Sequence, residues 1–178
     1  MSGLRNYLER KLNAVKTFRD AASTDPEERK QTLTATVTAE GLTGIRRIHA
    51  REFQVITDTG AALAGHDLGP RAPELLLGAL GSCVSHTVLI QAALQGINVD
   101  DLVVEATLNV DSLAGHNDII NPVSGITYTI KLESDATTEQ LKTLNEVLPD
   151  ICPVLNIIQF AQSISSKVVL NGAEIQLS

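Results

Sequence analysis

From Leu75 to Val99 (LLLGALGSCVSHTVLIQAALQGINV) no Asp, Glu, Lys or Arg interrupts the chain, and this run constrains the fold more than any other feature. Its length is enough to span a bilayer, so a membrane helix is the first reading to test. Gly78, Gly81, Ser82, Ser85, His86, Thr87, Gln91 and Gln95 dilute its apolarity, and the flanking charges are acids, Glu74 and Asp100, rather than the Lys or Arg that anchor membrane spans. A helix buried inside a soluble fold fits better. Pro73 suits the first helical position, Glu74 complements the positive end of the dipole, and Gly96 is a natural C-terminal stop. Apolar or small side chains occur on every face, the pattern of a helix surrounded by protein. Gly78, Ala79, Gly81, Ser82 and Ser85 would let another backbone approach near Cys83.

A chain of 178 residues supports one ordinary domain and its core. The formal charge is −7, from 14 Lys+Arg against 21 Asp+Glu, and no basic block interleaved with aromatics is present. Nucleic acid and anionic membranes are therefore excluded as partners. Met1 to Asp20 is studded with Arg and Lys and lacks the apolar core of a signal peptide, which predicts a cytoplasmic protein. In that compartment the two cysteines are reactive or incidental rather than a structural disulfide.

Leu4, Tyr7, Leu8, Leu12, Val15 and Phe18 recur at helical spacing, so residues 3 to 20 read as an amphipathic helix docked on the domain or on a partner subunit. A charged linker runs to Lys30, which divides the chain into an N-terminal segment, 1–30, and a single domain, 31–178. Alternation predicts strands over Thr32–Glu40, Ile45–Thr57, Leu102–Leu113 and Ile126–Leu132, the first two joined as a hairpin by Gly41–Gly44. Asp58 to Ala72 reads as a loop, as does the polar segment with His116, Asn117, Asp118 and Pro122. A helix over 137–148 carries a capping box, Thr137 with Gln140, and Pro149 ends it. Pro153 opens a short helix to about Phe160, and a last hairpin turns at Asn171-Gly172. Strands in consecutive pairs mark an antiparallel α+β fold. Because the long helix is apolar all round, one sheet would leave a side of it bare. The expectation is a homodimer whose two sheets sandwich paired long helices.

Cys152 precedes Pro153 at a helix N-terminus, where free N–H groups favour a thiolate. Each cysteine alone fits an inert buried thiol; together they suggest more. A peroxidatic thiolate becomes a sulfenic acid, and a second cysteine within reach captures it as a disulfide. Such a thiolate needs a positive neighbour, and an arginine fixed by a carboxylate supplies one. Glu74, nine residues before Cys83, is either that carboxylate or simply a dipole-compensating first-turn acid. His86 shares a helix face with Cys83, a spacing open to a metal half-site or a nucleophile with its base. No second close Cys/His pair completes a metal site, and His49, His66 and His116 are scattered, so a hydrogen-bonded histidine is the simpler reading.

The run from Asp67 to Cys83 (DLGPRAPELLLGALGSC), followed downstream by Cys152-Pro153-Val154, resembles the OsmC/Ohr family of osmotically inducible and organic-hydroperoxide-resistance proteins, in its OsmC-like branch. The resemblance covers about residues 31–178 and leaves out the first thirty. It implies an intertwined homodimer, with antiparallel sheets wrapped around long central helices, and a thiol-dependent peroxidase acting on organic hydroperoxides. Carried over by motif, Cys83 is the peroxidatic residue, Cys152 the resolving one, and Glu74 the acid that holds a catalytic arginine. Arg46, Arg47, Arg51 and Arg71 all fall in the interval where the family places that arginine. Arg51 is favoured because it reads as lying inside a strand, with Arg46 second. No nicotinamide or flavin motif is present, and no cofactor or metal is expected. Electrons would come from an external dithiol, of lipoyl or thioredoxin type as the family suggests. Two other classes compete: a Cys83–His86 hydrolase or acyl transferase, and a non-catalytic binding protein for an apolar small molecule at the dimer interface.

Overall fold

In a computed structural model of the chain, residues 3–111 and 123–175 are described. The long uncharged run becomes α2 (Ala72–Gln95), the helix on which the other packed elements rest. It begins at Ala72, so Pro73 takes the second helical position, and it stops where expected, with Gly96 at φ +67° in the left-handed conformation that glycine adopts without strain. Leu80, Val84, Val88 and Ala92 form its buried stripe and the centre of the core.

α1 (Gly3–Ala21) lies along α2, with Leu8 buried and Leu4 and Leu12 beside it. The Arg5 guanidinium clamps this helix to the start of the following strand, donating to Asp100 Oδ1 at 2.6 Å and Oδ2 at 2.5 Å. That two-pronged bond to Asp100 raises the Arg5 pKa above its ordinary value.

β4 (Asp101–Val110) and β5 (Val123–Glu133) pair antiparallel and lay Leu102, Val104, Ala106, Ile130 and Leu132 toward the core. The polar loop with His116, Asn117, Asp118 and Pro122 lies outside the described residues, as do the last residues of the strand expected over 102–113. α3 (Thr138–Glu146) opens with the expected capping box, Gln140 N–H donating to Thr137 Oγ1 at 3.2 Å. Pro149 does not end this helix; it sits in the first turn of a separate short helix, α4 (Leu148–Ile151), where its missing N–H costs nothing. α5 (Pro153–Gln159) follows at once. α3, α4 and α5 all contact α2 and contribute Leu144, Leu148 and Leu155 to the core.

The N-terminal half of the domain differs from the expected single hairpin. The segment 45–57 is two strands, β2 (Ile45–Ala50) and β3 (Phe53–Thr57), and with β1 (Thr36–Glu40) it forms a three-stranded meander. The alternation ran through Arg51 and Glu52 and so hid a two-residue turn, in which Arg51 has φ +55°. Among the described residues this sheet makes no substantial contact with α2 or any other element. The last hairpin, β6 (Val168–Leu170) with β7 (Ala173–Ile175), turns at Asn171 and Gly172 with φ of 52° and 85°, the left-handed pair its sequence predicts. The remainder of its expected second strand lies outside the described residues.

The segment 58–71 is more ordered than its polar composition implies. The buried Asp58 carboxylate accepts N–H bonds from Thr59, His66 and Leu68 at 2.7, 3.0 and 3.2 Å. These bonds, led by that of Thr59, hold its pKa below the usual carboxylate range despite desolvation. At Gly65 an added Cβ would sit 1.9 Å from Thr59 O, so only glycine permits this closure.

Candidate active site

Cys83 occupies the middle of α2, and its side chain points toward the junction of α4 and α5. Cys152 caps α5 in an extended conformation and is wholly buried; its N–H donates to Leu148 O and its carbonyl accepts from Asn156 N–H. The kink that Pro153 imposes between the two short helices drives Cys152 inward. The Cys152 thiol lies 3.2 Å from Cys83 Sγ, and both cysteines are free. A disulfide needs sulfurs about 2 Å apart, so the pair can close with a shift of about 1 Å.

Burial pushes the Cys83 thiol above its ordinary pKa; the Val154 N–H, offered to the sulfur by the first turn of α5, works against it, and the neighbouring Cys152 raises it further. Tyr128, on β5, also packs toward this site, its phenol pushed up first by burial and then by Cys152. Thr87 Oγ1 donates to Cys83 O at 2.9 Å, one turn along the helix.

Cys83 opens into a cleft of about 400 Å³ lined by Arg19, His86, Thr87, Ile90, Gln91, Ile151 and Pro153. His86 Nδ1 faces Lys11 Nζ of α1 at 3.3 Å. Among the described hydrogen bonds Cys83 therefore pairs with Cys152, and His86 with Lys11, rather than the two with each other. No group of three or more His, Cys, Asp or Glu gathers among the described residues as a metal cage would require.

Glu74 stands at the N-terminus of the same helix. Its carboxylate accepts from the Arg71 backbone N–H at 2.7 Å and from Arg71 Nη2 at 2.9 Å, and the Arg71 side-chain bond, then the backbone one, hold its pKa below the usual range. The two line a second cleft, also about 400 Å³, with Pro73, Leu77, Ala106, Thr107, Leu108 and Val110.

Residues 65–167 match the family of OsmC-like proteins. The chain belongs to the OsmC-like family. No curated protein matches it. Among solved structures it is similar to the OsmC-like protein of Mycoplasma pneumoniae, with a TM-score of 0.64 at 17% identity over 74% of this chain and 90% of that one. The organic hydroperoxide resistance protein OsmC of Legionella pneumophila gives 0.52 at 13% identity over 72% and 90%. An organic hydroperoxide resistance protein from Elizabethkingia anophelis gives 0.51 at 16% identity over 75% and 92%. These likenesses carry the OsmC-like fold, and the family includes proteins named for resistance to organic hydroperoxides.

Within this OsmC-like chain the expected site residues fall in three places. Cys83 and Cys152 meet, Glu74 sits about two and a half turns away with Arg71, and the remaining candidate arginines lie on the separate sheet. Arg51 needs correction: it is not inside a strand but in the β2–β3 turn, its guanidinium stacked 5.0 Å over the Phe53 ring. Arg46 is in β2, with Nε donating to Thr57 Oγ1 at 3.3 Å and Nη1 to Gly44 O at 3.1 Å. Arg47 is committed to Glu40, which raises the Arg47 pKa and lowers that of Glu40. Sequence reasoning passed over Arg19 and Lys11. Their signal was periodicity: Leu8, Leu12, Val15 and Arg19 continue one stripe of α1, so its docking carries Arg19 to the cleft.

Proposed function

We propose that the protein is a thiol-dependent peroxidase that reduces organic hydroperoxides, with Cys83 as nucleophile and Cys152 as resolving thiol. The observation that carries this reading is the 3.2 Å separation of two reduced sulfurs, one wholly buried and one open to a cleft. The Cys83 thiolate attacks the terminal oxygen of ROOH; the O–O bond breaks, Cys83 becomes a sulfenic acid, and RO⁻ takes a proton and leaves as ROH. Cys152 sulfur then attacks Cys83 sulfur, the S–O bond breaks, and hydroxide leaves with the Cys152 proton as water. An external dithiol, of lipoyl or thioredoxin type, returns two electrons and restores both thiols. This cycle suits the reducing cytoplasm.

The nucleophile still needs a cation, because burial, and then the neighbouring Cys152, favour the neutral Cys83 thiol. Arg71, paired with Glu74, lines a separate cleft from the one that Cys83 opens into, and the sheet carrying Arg46 and Arg51 does not cover α2 in its own chain. That sheet exposes Val37, Phe53, Val55 and Ile56 at 36–57%, while α2 exposes Leu76, Gly78, Ala79 and Ser82. Two incomplete apolar surfaces in one chain support a homodimer in which the sheet of each copy covers the other's helix. In that arrangement Arg46 of the second copy is the arginine that lowers the Cys83 pKa and orients the peroxide. Its guanidinium bonds only neutral oxygens among the described residues, which leaves its charge available.

The hydrolase alternative loses its Cys83–His86 hydrogen bond to Lys11. The test is mass spectrometry after one equivalent of cumene hydroperoxide: a Cys83–Cys152 disulfide in the wild type, and a Cys83 sulfenic acid in Cys152→Ser. An unmodified Cys83 in both overturns the reading.

A further inference from the structure

α1 belongs to no part of the family match, which begins at residue 65, yet it is not a loose appendage. Leu8 is buried against α2, and the paired bond of Arg5 to Asp100 fixes the helix lengthwise. Its far end thereby becomes a wall of the thiol cleft. We propose that α1 makes this cleft selective for amphipathic anions, with Arg19 binding the negative group while the apolar part lies over Ile90, Ile151 and Pro153. This rests on the peroxidase reading for one point only: the bound anion would then be a hydroperoxide that carries a carboxylate.

The charge pattern supports the assignment. The protein as a whole is strongly acidic, at −7, yet no Asp or Glu lines this cleft among the described residues. Asp20 and Asp150 neighbour lining residues in sequence but do not line it themselves. Arg19 is exposed and makes no ion pair among the described residues, so its five donors face water or ligand. Lys11 stands behind His86 at 3.3 Å. A protonated lysine can only donate, so Nδ1 accepts and the neutral imidazole carries its proton on Nε2. Burial first, then the Lys11 charge, disfavour a second proton on His86. The histidine thus keeps an N–H to donate, and it lines the groove together with Arg19. Arg19 acts in recognition, and bond making remains with the thiols.

The test uses a matched pair, linoleic acid hydroperoxide and its methyl ester, below their micellar concentrations, with wild type, Arg19→Gln and Arg19→Lys. The wild type is expected to favour the acid in kcat/KM, and Arg19→Gln to lower the acid-to-ester ratio about tenfold, the effect of losing one charge-assisted bond. Arg19→Lys should recover part of it. A second measurement needs no turnover: decanoate, but not decanol, should slow alkylation of Cys83 by iodoacetamide, and Arg19→Gln should remove the protection. An unchanged acid-to-ester ratio, or decanoate protection that persists in Arg19→Gln, overturns the proposal. If the wild type reduces neither hydroperoxide while the protection still depends on Arg19, the peroxidase reading fails and the anion site stands.

Discussion

The β4–β5 ribbon and the β1–β2–β3 sheet are built from similar material and meet opposite fates. Both are antiparallel, and both alternate apolar with polar residues. In the ribbon, the alternation becomes an alternation of burial, because Leu102, Val104, Ala106, Ile130 and Leu132 lie on α2. In the sheet, nearly every residue of β1 and β3 stays exposed, Phe53 at 55% included. Period-two patterning says that a face is meant to be covered; it does not say by what, or by which copy. The ribbon finds its cover within its own chain. The proposed dimer supplies the cover for the sheet, and with it the arginine that the thiols lack.

The largest effect to expect divides the two regions by chemistry. Cys83→Ser, on the covered side, should abolish peroxide consumption. Arg46→Met, on the uncovered sheet, should lower kcat/KM by about a hundredfold, the order of loss when one preorganised donor to a reacting oxygen is removed. Stopped-flow assays with cumene hydroperoxide measure both. A wild-type rate in Arg46→Met would mean that the sheet never reaches the thiol.

Stability should divide them next. Leu80→Ala removes a side chain that is 1% exposed at the centre of the core and should cost about 2–5 kcal/mol in urea unfolding. Phe53→Ala should instead make the unfolding midpoint less dependent on protein concentration, because its contacts would lie between copies and their loss weakens the dimer. Equal, concentration-independent losses in both variants would erase the distinction.

A smaller, sharper test joins association to acidity. An added Cβ at Gly78 meets nothing within 4 Å in the chain, so Gly78→Leu should leave the single-chain fold intact while blocking a partner helix. Light scattering with size exclusion should then give a monomer. Burial raises the Cys83 pKa, so its thiolate appears only at higher pH than for an ordinary thiol. The pH midpoint of Cys83 alkylation should stay high in the monomeric variant and fall in the wild-type dimer. The same midpoint in both would remove the partner arginine from the site.

The smallest effect is expected at Arg5→Ala. Its ion pair with Asp100 is partly solvent-exposed, at 30% and 32% for the two side chains, and exposed pairs contribute little. The urea midpoint should fall slightly, and more at low salt than at high salt. A loss as large as that of Leu80→Ala would show that α1 is held by this clamp rather than by Leu8.

Much of the molecule was legible in residues alone. The charge-free run determined α2 and its Gly96 stop, because sustained apolarity and a left-handed cap are local demands that a sequence states openly. Thr137 with Gln140, and Asn171-Gly172, wrote their cap and turn in the same way. The two cysteines were legible as a candidate pair, and the structure brings their sulfurs to 3.2 Å. Three things required the tertiary structure. The Arg51 turn was hidden because alternation passes unbroken through it, and only strand pairing exposed the left-handed residue. The order of the 58–71 segment depends on Asp58 gathering N–H groups up to ten residues away, which composition cannot show. The approach of Cys152 to Cys83 spans 69 positions of chain and depends on where Pro153 bends the backbone. Local rules settle what each segment becomes; contacts between distant segments settle which side chains meet, and the Cys83–Cys152 pair belongs to the second kind.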